Sequence, residues 1–95
     1  MITRIVKMTF IPEKVEDFLA VFHASASLIR SYPGCIQMQL LNDIHHTNIY
    51  YTYSHWESEE HLNHYRNSTL FREIWSKTKV NFAEKAEANS LKLIC

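Results

Sequence analysis

The hydrophobic pattern of this chain changes period and then changes back, and that limits the folds open to it. Residues 2–10, ITRIVKMTF, alternate: Val6, Met8 and Phe10 fall on one side, Ile5, Lys7 and Thr9 on the other. A repeat of two is that of a β-strand with one apolar face. Past residue 11 the repeat lengthens. Val15, Phe18, Leu19, Phe22, Ala26 and Ile29 recur at three- and four-residue spacing, the stripe of an amphipathic helix. Pro12 suits its first turn, and Glu13, Glu16 and Asp17 suit the positive end of its dipole. The helix stops at SYPG, residues 31–34. Tyr32 is pushed out of the helical region by Pro33, and Gly34 is free to turn.

Alternation returns in CIQMQLLND (35–43), where Ile36, Met38 and Leu40 share a face. A polar loop, IHHTN, leads to IYYTYSHW (49–56), rich in β-favouring aromatic residues. The stretch SEEHLNHYRNSTLFREIWSKTK (58–79) is helical, with Ser58 as N-cap. A break is expected near Asn67 and Ser68, which favour caps over helix interiors. AEANSLKLIC (86–95) supplies a last strand. The order strand–helix–strand–strand–helix–strand predicts one α+β domain over residues 1–95. Its fold is ferredoxin-like βαββαβ: an antiparallel sheet with both helices on one face. Nothing is left to cover the other face, which carries Ile5, Lys7, Thr9, Gln37 and Gln39. A C2 homodimer through that face is therefore expected.

Ten basic and ten acidic residues cancel, so the chain carries no electrostatic footprint for nucleic acid or an anionic membrane. The N-terminus lacks the apolar core of a signal peptide. No apolar run approaches the roughly 20 residues of a membrane span. Cys35 and Cys95 are far apart and without CxxC spacing, which argues for free thiols in a reducing cytoplasm. His61 and His64 share a helical face, but a zinc site needs three or four ligands and no third is placed beside them. No metal is expected.

The segments MTFIPEKVEDFL, YPGCIQMQLLND and YTYSHWESEEHLNHYRNSTLF together resemble the antibiotic biosynthesis monooxygenase (ABM) family of dimeric α+β barrels. The likeness lies in a strand ending before a proline-containing helix start, a PGC turn and a strand ending in WES. It also lies in a helix carrying a histidine and a serine, His64 and Ser68, ahead of an aromatic residue. It covers roughly residues 2–90. Two departures stand out. Leu70 occupies a position where many members carry a second histidine. Val6, Tyr65 and Trp75 stand where haem-degrading relatives use Asn, Trp and His, so haem ligation by that route is set aside.

The resemblance implies oxygenation of a small aromatic, phenolic or quinol-like molecule by O2, with no cofactor. An imidazole titrates near working pH, which makes His64 the expected proton acceptor. Tyr51, Tyr53, Trp56, Tyr65, Ser68 and Phe71 are the expected substrate-binding residues. Tyr51, Tyr53 and His55 share one face of the third strand; Tyr50, Thr52, Ser54 and Trp56 share the other. Parity alone does not say which face lines the pocket. Each residue also has a plainer role: His64 a structural histidine, Ser68 an N-cap, the strand aromatics core or dimer filling, Trp75 core. The rival reading is a non-catalytic small-ligand-binding or stress-associated dimer that keeps the pocket without the chemistry. A third is proton transfer on a small polar metabolite.

Overall fold

The computed structural model describes residues 1–95. Four strands form one antiparallel sheet: β1 (Ile2–Thr9), β2 (Cys35–Asn42), β3 (Ile49–Trp56) and β4 (Glu87–Leu91). Their order across the sheet is β2-β3-β1-β4, the ferredoxin-like arrangement expected from the alternating periods. Three helices pack on one face: α1 (Val15–Arg30), α2 (Glu59–Arg66) and α3 (Thr69–Lys79). Pro12 lies in a short 3-10 turn, Pro12–Lys14, ahead of α1 rather than inside its first α-helical turn. No helix is long and apolar enough to cross a membrane.

The core forms where the apolar stripe of α1 meets the inward rows of the sheet. Phe18, Phe22, Ala26 and Ile29 of α1 are buried against Met8, Phe10, Met38 and Trp56. Phe10 is wholly buried and stacks on Phe18 at 4.1 Å. Removing such a ring costs about 3–5 kcal/mol in cores of this kind.

One expectation about β2 fails. Met38 and Leu40 pack inward, but Ile36 is exposed. A register shift between Cys35 and Gln37 pairs Cys35 with Trp56 and Gln37 with His55. The extra residue of a bulge reverses the parity on one side of it. Cys35 therefore packs against the core where alternation assigned Ile36.

The long helical stretch is two helices, as Asn67 and Ser68 indicated. Ser58 caps α2, accepting from the His61 amide at 3.2 Å. Ser68 caps α3, accepting from the Phe71 amide at 3.1 Å, while its hydroxyl donates to the Tyr65 carbonyl at 2.6 Å. One serine thus joins the last turn of α2 to the first turn of α3.

Gly34, the only glycine, takes φ +91° at the turn into β2. A Cβ there would run into the ring of His61. The Gly34 carbonyl accepts from the Glu57 amide at 2.8 Å, tying this turn to the end of β3.

Candidate functional site

Between the helices and the sheet lies a cavity of about 310 Å3. That is near the lower end for small-ligand sites. Trp56, Tyr65, Phe71 and Trp75 supply its aromatic walls, with aliphatic side chains such as Val6, Leu62 and Ile74 between them. Three of the expected substrate-binding residues, Trp56, Tyr65 and Phe71, are thus brought together.

Their placement follows from the local sequence. Trp56 ends the inward row Tyr50, Thr52, Ser54, Trp56, and its indole nitrogen donates to Ser54 Oγ at 3.1 Å. Tyr65 and Leu62 are three apart on α2 and both turn inward. The rings of Tyr65 and Trp56 stack at 4.9 Å. Phe71 meets Tyr65 edge-on at 5.2 Å and stacks on Trp75 at 5.7 Å. Burial pushes the Tyr65 phenol well above its ordinary pKa, so the hydroxyl stays a donor at any physiological pH.

The other expected residues lie elsewhere. Tyr51 and Tyr53 are corrected: they sit in the outward row of β3, on the face away from the helices, where Tyr53 packs edge-on against His55 at 4.9 Å. Both rows of β3 are aromatic, which is why parity left the choice open. Ser68 is occupied as the α3 cap and lines a shallow outer hollow with Tyr32, Glu60, Asn63, His64 and Asn67. His64 is exposed there and does not line the aromatic cavity. It precedes Tyr65 by one residue, and about 100° of helical rotation carries it outside. Its Nδ1 is hydrogen-bonded to the Tyr32 hydroxyl at 2.8 Å.

The two charged residues of the cavity lining, Arg4 and Arg66, escaped the sequence reading. Arg4 shares parity with Val6 and Met8, so a charged residue on the apolar face of β1 was the available signal. Its strand partners are Ser54 and Ser90, small side chains that leave the guanidinium room. Arg4 donates to Ser90 Oγ at 2.9 Å. Burial and then the charge of Arg66 press its pKa down, though an arginine stays cationic regardless.

His61 Nδ1 lies 2.7 Å from Ser58 Oγ and its Nε2 3.6 Å from Glu57. No group of three or more His, Cys, Asp or Glu side chains is gathered as a metal site. Burial raises the Cys35 thiol above its ordinary pKa, the reverse of what a nucleophilic cysteine needs.

A four-stranded antiparallel sheet with helices on one face, holding an aromatic cavity between the layers, defines a ferredoxin-like α+β protein with a candidate ligand cavity. Residues 1–76 match the antibiotic biosynthesis monooxygenase family, and the chain belongs to it. Solved structures share the fold over nearly the whole chain. An antibiotic biosynthesis monooxygenase superposes with TM-score 0.94 at 14% identity, covering 100% of both chains. A conserved protein from Methanosarcina mazei Go1 superposes with TM-score 0.91 at 22% identity, covering 97% of this chain and 92% of its own. A protein from Pseudomonas aeruginosa does so with TM-score 0.87 at 20% identity, covering 99% and 94%. No curated protein matches the chain.

Proposed function

We propose that the chain is a monooxygenase that oxidises a small phenolic or quinol-like ring held in the aromatic cavity, with O2 as the oxidant. The observation that carries this reading is the cavity itself: an aromatic-walled space of about 310 Å3 in a member of a monooxygenase family. Trp56, Phe71 and Trp75 offer flat surfaces for stacking. Tyr65 donates a hydrogen bond to the substrate oxygen as it ionises. The positive charges of Arg4 and Arg66 favour an anionic ring compound in the cavity.

The ring loses its proton to water, since no His, Asp or Glu lines the cavity. The enolate gives one electron to O2, the radical pair closes a carbon–oxygen bond, and the peroxide takes a proton back from water. Loss of water then leaves a ketone. A ring CH2 and O2 become C=O and H2O, so no further reductant is consumed. His64, outside the cavity, serves in this reading as a positioning residue: it holds Tyr32, whose ring packs edge-on against Tyr65 at 5.2 Å.

The open sheet face is the surface for a second copy. Ile5, Tyr51, Tyr53 and Leu91 offer apolar area there, and Lys7 stands opposite Glu87 in the β1–β4 register, so the face carries both signs of charge. Sedimentation at micromolar concentration tests this; a stable monomer rules it out.

The test of the activity is O2 uptake by the purified protein on a panel of anthrones, naphthols and quinols. One O2 consumed per ketone formed supports the reading. The exposed position of His64 favours the second reading, a non-catalytic ring-binding protein. Rings that bind without O2 uptake above the uncatalysed rate would select it.

A further inference from the structure

We propose that the ligand of this cavity carries a fixed carboxylate on its aromatic ring, and that Arg4 and Arg66 hold it. The proposal rests on the cavity being the ligand site, as read above.

The lining contains no aspartate or glutamate, and its two ionisable charged residues, Arg4 and Arg66, are both cationic. Carboxylates are not scarce, since the chain has as many acidic as basic residues. None is placed here: the ion pairs of the chain are Lys14–Asp17 and His61–Glu57, and neither arginine takes part. Arg4 is half-buried on the apolar face of β1, and its one side-chain bond is to the Ser90 hydroxyl. A guanidinium has five N–H donors, so most of its capacity is unspent. Two like charges close enough for one to shift the other, without a counter-charge, weaken the fold unless an anion joins them.

A simpler account covers Arg66 alone, because it is the last residue of α2, where a cation stabilises the helix dipole. It does not cover Arg4, a strand residue whose neighbours in the inward row, Val6 and Met8, are apolar. The planar guanidinium fork matches a carboxylate in two parallel hydrogen bonds, which a neutral phenol cannot reproduce. The remaining lining is aromatic and aliphatic, suited to the ring. A hydroxylated aromatic acid therefore satisfies both parts of the site, whereas the plain phenol leaves the arginines uncompensated.

Calorimetric titration of the full chain with 1-hydroxy-2-naphthoate and with 1-naphthol tests this, because the two probes share a ring and differ by the carboxylate. The acid is expected to bind at least about tenfold tighter, close to one charge-assisted hydrogen bond in free energy. The preference should shrink as salt rises from 0.05 to 0.5 M, roughly, through screening. Arg4→Gln and, separately, Arg66→Gln should each cut the preference to about threefold or less. Arg66 is exposed, so its variant keeps the test valid if Arg4→Gln fails to fold by circular dichroism. Equal binding of both probes overturns the carboxylate proposal and leaves the cavity reading standing. Binding of neither probe overturns both. A preference that survives Arg66→Gln unchanged removes that residue from the site, and survival in both variants overturns the proposal.

Discussion

The Tyr32 hydroxyl and His64 Nδ1 stand 2.8 Å apart on the outer side of α2, with the Tyr32 ring turned edge-on to Tyr65. The contact links the turn after α1 to the helix that carries the cavity wall. It also separates two roles that a histidine beside a pocket invites. His64 holds the Tyr32 hydroxyl outside the cavity, and Tyr65 lines it.

Turnover should divide accordingly. Tyr65→Phe removes the hydroxyl of a cavity-lining residue and should lower kcat on the best ring substrate by about a hundredfold, the usual scale for one oxyanion donor. His64→Ala should lower it by less than about tenfold, and Tyr32→Phe by a similar amount, because both variants break one shared bond. Steady-state O2 uptake decides. A His64→Ala variant without activity, beside an active Tyr32→Phe, would return the proton-acceptor role to the imidazole.

Gly34→Ala should destabilise the chain by about 1–3 kcal/mol, the range for a residue forced into a sparsely populated conformation. Two causes act: the φ of +91° and the collision of a new Cβ with the His61 ring. Urea unfolding of Gly34→Ala alone and together with His61→Ala separates them. The double variant should recover the collision and keep the backbone strain.

Ser68→Ala should cost about 1 kcal/mol by loss of the α3 cap. The same change frees the Tyr65 carbonyl from its 2.6 Å bond and loosens the junction between two cavity helices. Hydrogen exchange should therefore rise at Phe71 before it rises in α1. Uniform exchange across all three helices would contradict a local role.

Asp43 gives a pH signature. Its carboxylate accepts from the His45 amide at 2.8 Å and the His46 amide at 3.0 Å, and the first of these bonds is the main cause of its lowered pKa. A depressed folded pKa means the bonds are fully present above the unfolded value of about 4 and are lost only as pH falls through the lower, folded value. The His45 and His46 amide shifts should show a distinct movement below about pH 4. In Asp43→Asn the movement should vanish.

The element order was legible because hydrophobic period is a local property, two in β1, near 3.6 in α1 and two again in β2, while β3 was legible from its β-favouring aromatics. The break at Asn67–Ser68 was legible because cap residues carry their own chemistry. Ile36 was misread because a bulge exists only once β2 pairs with β3. The cavity face of β3 stayed open because Tyr51 and Tyr53 are as aromatic as Tyr50 and Trp56. Trp56, Tyr65 and Phe71 were singled out through the resemblance and through their ring chemistry, and they line the cavity. Arg4 carries the parity of Val6 and Met8, but one charged residue near the start of an apolar row reads locally as a solvated strand end. His64 was placed at the border of core and solvent, and the geometry of α2 turns it to the solvent side.

A hollow in the middle of the packing also couples occupancy to endurance. Whatever fills the space between Trp56, Tyr65 and Phe71 binds the native chain and not the unfolded one. At a hundred times its dissociation constant such a ligand adds about 2.7 kcal/mol. In a domain of this size each kcal/mol raises the melting temperature by about 4–8 °C. The melting point therefore reports which compounds the cavity accepts, with no knowledge of the reaction needed, and a library of rings can be sorted by heat alone.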